Sequence, residues 1–94
     1  MKNSRIISPS DVRLYYFSSK DVLLSNDEKE QRKRNLQRAV VMTHNGQNPV
    51  TIYVKLPSGE TLEMHSDRCD FTGDFVVIKG GFTIPLAAIV DVEA

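Results

Sequence analysis

The residue types that most often bind metals or carry out catalysis are few in this 94-residue chain. His65 and Cys69 lie four positions apart, and an unbroken strand would place them on one face, where a metal site or a Cys–His nucleophile pair is conceivable. A zinc site needs three or four ligands at defined spacing, and the chain has one other histidine, His44. We therefore interpret Cys69 as a small, half-buried apolar residue near a bend, and we predict no metal and no cofactor.

Three aspartates surround the same predicted bend. Asp67, Asp70 and Asp74 supply cation-binding oxygens, but their spacing differs from that of a calcium loop, and turn aspartates more often accept hydrogen bonds from nearby amides. Gly80-Gly81 has no following Lys-Ser/Thr, so it fits a hairpin better than a phosphate loop. Because no nucleophile, base and orienting partner come together, we predict that the protein is not an enzyme.

A basic segment is the best candidate for contact with nucleic acid, because phosphates are bound by mobile cations. Residues 1–38 carry a net charge of +4 and residues 39–94 carry −4, which cancel. The basic segment either meets nucleic acid or docks on the chain's own acidic half or on a partner, and the cancellation slightly favours docking. The candidate nucleic-acid or partner contacts are four cations and two stacking aromatics: Arg32, Lys33, Arg34, Arg38, Tyr15 and Tyr53.

A helix over residues 26–37 positions these cations. It begins at the capping box SNDE of residues 25–28, whose serine and glutamate side chains satisfy free amides of the first turn. Leu36 is almost its only apolar residue, so we expect the helix to be exposed or to become ordered on a partner. A solvated helix is also favoured by two i,i+4 ion pairs, Glu28–Arg32 and Glu30–Arg34.

Residues 1–25 form an N-terminal arm that precedes the folded domain of residues 26–94. Within the arm, residues 12–24 fit a helix and a short strand equally, because the apolar run is too short for its period to decide. The aromatic cluster Tyr15-Tyr16-Phe17 stacks on bases, anchors a partner, or plugs an open end of the barrel. We favour the plug, since a chain of this size needs core area.

The second half of the chain has the two-residue period of β-strands. Val50, Ile52, Val54 and Leu56 alternate with polar residues and share one face. Turn residues separate the strands, with Pro57-Ser58-Gly59 as a hairpin loop and PLAAI (85–89) as one tight helical turn. The predicted strands cover residues 39–44, 50–56, 60–67, 75–79, 82–84 and 90–93. The fold class is therefore mainly β: a small antiparallel barrel of five or six strands preceded by one N-terminal helix.

The order of these features resembles known small barrels. The chain resembles SH3-like and Sm-like folds in the order of four segments: a helix, VxIxVxLxxG (50–59), FVVIKGG (75–81) and IPLAAI (84–89). The Rho-binding antiterminator has a similar layout, with a helix followed by a barrel. The segments RAV (38–40), LPSG (56–59) and IKGGFTIP (78–85) are similar to short uncharacterised bacterial proteins. The first resemblance implies a fold, and neither implies an activity or a functional residue.

Composition narrows the class of protein. The single cysteine excludes an internal disulfide framework, and the chain has neither a signal-peptide pattern nor a transmembrane run. We expect a soluble cytoplasmic protein that is a protein-interaction or self-associating module, without a membrane or small-molecule partner. The alternative is a regulator that binds RNA or single-stranded nucleic acid through the basic helix of residues 26–38.

Overall fold

One long helix and two small sheets make up the protein, whose computed structural model describes residues 4–46 and 49–94. Three short 3₁₀ segments lie at Pro9–Leu14, Lys79–Gly81 and Leu86–Ala88. Helical segments hold 35% and strands 33% of the described residues, so the chain is more helical than the predicted mainly β class. The other elements are β1 (Arg5–Ile6), α1 (Asn26–His44), β2 (Val50–Lys55), β3 (Thr61–Ser66), β4 (Cys69–Phe71), β5 (Phe75–Ile78), β6 (Thr83–Pro85) and β7 (Ile89–Glu93).

The start of α1 confirms the predicted Ser25 cap, but Glu28 bonds the Ser25 hydroxyl and not, as predicted, the Ser25 amide. Ser25 is the N-cap, and its hydroxyl oxygen accepts a hydrogen bond of 3.1 Å from the Glu28 amide. The Glu28 carboxylate in turn accepts a 3.0 Å bond from the Ser25 hydroxyl. The cap therefore satisfies one of the free amides of the first turn, and two acidic residues lie at the positive end of the helix dipole.

The predicted strand at residues 39–44 is wrong, because α1 continues to His44. Leu36 and Ala39 are buried, and Val40 packs against the same core, so an i, i+3, i+4 apolar stripe runs on past the predicted helix end. The β-branched residues of this segment disfavour a helix by only tenths of a kcal/mol each. Burial of the stripe against the sheets outweighs that preference.

Sheet A has the strand order β1-β3-β2-β7. Val50, Ile52 and Val54 of β2 are fully buried and confirm the predicted inward face. Strands β2 and β3 form an antiparallel hairpin, with Ile52 opposite Met64. Strand β1 of the arm adds to β3 in parallel, which the sequence pattern did not predict.

Sheet B has the order β4-β5-β6, and within the described residues no strand pair joins it to sheet A into a closed barrel. The predicted strand 60–67 ends at Ser66, whose hydroxyl donates to the Arg68 carbonyl and accepts from the Arg68 amide. This local bonding lies at the break between β3 in sheet A and β4 in sheet B. The Leu86–Ala88 turn, confirmed as a 3₁₀ segment, then separates β6 from β7.

The remaining turns agree closely with expectation. The Leu56 amide donates to the Glu60 carbonyl, and Gly59 has a φ of 93°, so residues 57–59 form the three-residue loop. Both Gly80 and Gly81 have positive φ, as a hairpin turn there requires. Their loop spans Lys79–Gly81, one residue more than predicted, because the Ile78 amide bonds the Phe82 carbonyl.

The described part of the arm, residues 4–25, lies on the domain without a long helix or strand. Residues 9–14 form the 3₁₀ segment, and residues 15–24 are irregular, so neither conformation considered for residues 12–24 is adopted throughout. Residues 1–3 of the arm lie outside the described residues. Across the described chain, no helix is long and apolar enough to cross a membrane.

Candidate functional site

Arg32, one of the four predicted contact cations, is buried, with 5% of its side chain exposed. Its guanidinium donates to both carboxylate oxygens of Asp21, at 2.9 and 2.7 Å, and to the Ile89 carbonyl at 3.0 Å. The expected Arg32–Glu28 pair does not form. Arg32 therefore joins the arm, α1 and β7, and does not belong to the exposed basic face.

The other three cations of the set are exposed. Lys33, Arg34 and Arg38 make no ion pair within 4.0 Å among the described residues, so the expected Glu30–Arg34 pair is also not formed. Arg34 and Arg38 are four residues apart and share the outer face of α1. Lys33 lies on the side that faces β4. The basic face is thus smaller than predicted, and its charges form no ion pair among the described residues, although Arg34 donates a 3.4 Å hydrogen bond to the Gln31 side chain.

An apolar groove of 320 Å³ lies between α1, β4 and the Leu86–Ala88 turn. Leu36, Phe71 and Leu86 supply its apolar lining, and Phe71 is 38% exposed. Lys29 and Lys33 line it with their ammonium-bearing side chains, together with Glu30. Sequence analysis missed this groove, because Phe71 reaches the helix only through the tertiary fold.

The two predicted stacking tyrosines are not free platforms. The Tyr15 hydroxyl accepts a 3.0 Å bond from Arg5, whose guanidinium carbon lies 5.7 Å from the ring centroid, and the ring packs against the core. Tyr53 is only 7% exposed. The neighbouring Glu93 carboxylate raises the pKa of Tyr53 to about 12, and this negative surrounding is unfavourable for phosphate.

The aromatic cluster of the arm divides between core and solvent. Tyr15 and Phe17 are partly buried and pack against the core, although the described strands form no closed barrel whose end they could plug. Tyr16 is 78% exposed. Only this middle aromatic is placed to meet a partner.

His65 and Cys69 do not come together. His65 is exposed, with its Nδ1 3.2 Å from the Thr51 hydroxyl oxygen and its Nε2 3.3 Å from a Glu63 oxygen. Cys69 is fully buried, and burial, with a contribution from Asp70, raises its pKa to about 11. Its thiol is therefore protonated at neutral pH, which makes it a poor nucleophile or metal ligand.

The three aspartates of the bend also separate. Asp70 bonds Arg68 Nε at 2.9 Å and His44 at the end of α1, a link that the sequence did not indicate. Asp67 lies 4.0 Å from the Lys79 ammonium, and Asp74 is exposed. In residues 4–46 and 49–94, no three His, Cys, Asp or Glu side chains are grouped so as to hold a metal ion.

Acid is expected to destabilise the fold through Asp21 and Asp70. Burial alone would raise the pKa of Asp21, but bonds from Arg32 and the Leu23 amide hold it below the usual 3.8. Hydrogen bonds from Arg68 and then His44 lower the pKa of Asp70. Both carboxylates bind protons more weakly in the folded protein than in the unfolded chain. Their contribution to the stability of the fold is therefore complete above the pKa of the unfolded chain, and it is lost as the pH falls through the lower pKa of the folded protein.

Urea unfolding measured across the acidic range tests this expectation. Asp70→Asn should flatten part of the pH dependence, because the variant has no carboxylate to protonate at that position. Asp74→Asn, which alters an exposed aspartate of the same hairpin, should leave the profile unchanged. Identical profiles for Asp70→Asn and the unaltered protein would contradict the assignment.

Comparison of the chain with protein-family models, with curated proteins and with solved structures finds no match.

Proposed function

We propose that the chain is a non-enzymatic cytoplasmic protein-interaction module with an SH3-like or Sm-like core. Its docking surface is the apolar groove between α1 and β4. The observation that carries the proposal is an exposed aromatic, Phe71, beside Leu36 and Leu86 and next to two lysines. Two strand features support the fold assignment: β3 and β4 follow each other after a two-residue break, and a 3₁₀ turn precedes the last strand.

The chemistry of the groove indicates its occupant. A volume of 320 Å³ accommodates one or two apolar side chains, whose burial against Phe71 and Leu86 supplies affinity. Lys29 and Lys33 outnumber Glu30, so the charge of the groove favours acidic residues beside the apolar anchor. The proposed partner is a protein segment with an aromatic or aliphatic residue flanked by Asp or Glu.

The separation of the reactive residues supports a binding role over catalysis. His65 and Cys69 point to different environments, and the Cys69 thiol is protonated. His44 and Asp70 form a pair that, among the described residues, has no adjacent nucleophilic side chain bonded to it. Such a pair fastens the end of α1 to β4 and has no reacting group to activate.

Selection from a random peptide library against the immobilised protein tests the groove. Enriched peptides should carry acidic residues next to an apolar anchor, and Phe71→Ala should weaken them about tenfold or more, as loss of a buried aromatic anchor does. Phe75→Ala is the matched control, because Phe75 is 47% exposed but does not line the groove. Peptides that bind the Phe71→Ala and Phe75→Ala variants equally well would refute the site.

The second candidate function is binding of RNA or single-stranded DNA. It is favoured by the free charges of Lys33, Arg34 and Arg38, none of which has an internal ion pair among the described residues. Fluorescence anisotropy with mixed RNA at low and at physiological salt tests it. Nucleic-acid binding requires affinity that falls with salt and with Arg34→Ala/Arg38→Ala, whereas the peptide groove predicts little change with that double variant.

A further inference from the structure

A second groove, of 480 Å³, lies between the arm and the β2–β3 hairpin, away from the groove of α1 and β4. The arm contributes Ser18 and residues 20–22, and the hairpin contributes residues 55–59. The partly buried Arg32–Asp21 pair fastens the arm side of this groove to α1. The groove is therefore built by two segments that are distant in sequence, and one of them is anchored to α1.

Two lysines and two serines supply hydrogen-bond donors to this second groove. Lys20 and Lys55, one on each side, form no ion pair among the described residues. The Ser18 and Ser58 oxygens accept bonds from backbone amides, at 3.0 and 3.3 Å, and neither hydroxyl donates to any described residue. Each hydroxyl has one hydrogen to donate, so two O–H groups and two ammonium groups are available to a ligand.

The acidic groups near the groove are already neutralised. Both oxygens of Asp21 accept from Arg32. Glu60, which follows the hairpin loop, is paired with Arg5 at 3.0 Å. The uncompensated charge of the lining is that of two lysines, which is favourable for an anion with several acceptor oxygens.

We propose that this groove binds the phosphate group of a small phosphorylated molecule. Lys20 and Lys55 balance the two charges of the phosphate, and the Ser18 and Ser58 hydroxyls donate to its oxygens. Val22, Leu56 and Pro57 give the same groove an apolar wall, against which the organic part of the ligand packs.

Amide chemical shifts measured by NMR during titration with inorganic phosphate, glycerol 3-phosphate and adenosine 5′-monophosphate test the proposal. We expect saturable shifts at Ser18, Lys20, Ser58 and Gly59. If either ester binds more tightly than inorganic phosphate, the ligand is a phosphorylated molecule. If the esters and inorganic phosphate bind equally, the ligand is free phosphate. Succinate at matched ionic strength should bind more weakly, because its two carboxylates do not match one tetrahedral group.

Variants distinguish a site from general screening of charge. Lys20→Gln/Lys55→Gln should weaken phosphate binding about tenfold or more, since two charge-assisted hydrogen bonds are lost. Lys79→Gln, at an exposed lysine outside the groove, should leave it unchanged. Absence of saturable shifts, equal loss in Lys79→Gln, or succinate binding as tight as phosphate would overturn the proposal. The groove of α1 and β4 is untouched by these variants, so the two sites are tested separately.

Discussion

Replacing Arg32 by Met is expected to lower the free energy of unfolding by about 3 kcal/mol, as removal of one partner from a buried ion pair does. The methionine retains much of the apolar stem, but the Asp21 carboxylate then loses both of its guanidinium bonds while staying largely covered. The Ile89 carbonyl loses its donor as well. Urea denaturation followed by circular dichroism measures the change.

The control for this variant lies two residues further along α1. Arg34→Met alters an exposed arginine of the same helix and should change stability by less than about 0.5 kcal/mol. The double variant Arg32→Met/Asp21→Leu should recover part of the loss, because no unpaired charge remains. Equal stabilities of the Arg32→Met and Arg34→Met proteins would show that the Asp21 contact does not fasten the arm.

Local rules predicted those elements whose signals lie within a few residues. The Ser25 cap and the Gly59 hairpin loop each depend on short-range hydrogen bonding and on a backbone angle that particular residue types favour. The inward face of β2 follows from strict alternation over seven residues of sequence. These features are present in the structure where the pattern placed them.

The end of α1 was mispredicted because two signals compete there. Val40, Val41 and Thr43 favour a strand, whereas Leu36, Ala39 and Val40 form a helical stripe. The choice depends on which face meets a core that other parts of the chain supply. The break between the two sheets was also missed, because the Ser66 hydroxyl that bonds Arg68 there has no distinguishing sequence pattern.

The candidate sites were even less accessible to sequence reasoning. Arg32 belonged to a run of apparently equivalent cations, and its partner Asp21 lies in an arm with no regular period. Phe71 lines the proposed groove only because β4 packs against α1. Charge and residue type identified the basic helix, but tertiary contacts decide which of its cations remain free.

Truncation of Leu36 is expected to destabilise the protein by about 3 kcal/mol, within the range for a buried leucine replaced by alanine. Leu36 is 1% exposed and is the largest buried apolar side chain of α1 in the shared core, so its truncation leaves a cavity between the helix and the sheets. Leu24→Ala is the matched control, because Leu24 is 90% exposed, and its change should stay below about 0.5 kcal/mol. Thermal and urea unfolding of both variants give the comparison. Similar losses for the two would mean that α1 does not contribute to one cooperative core, and the groove built on its Leu36 side would then lack a fixed wall.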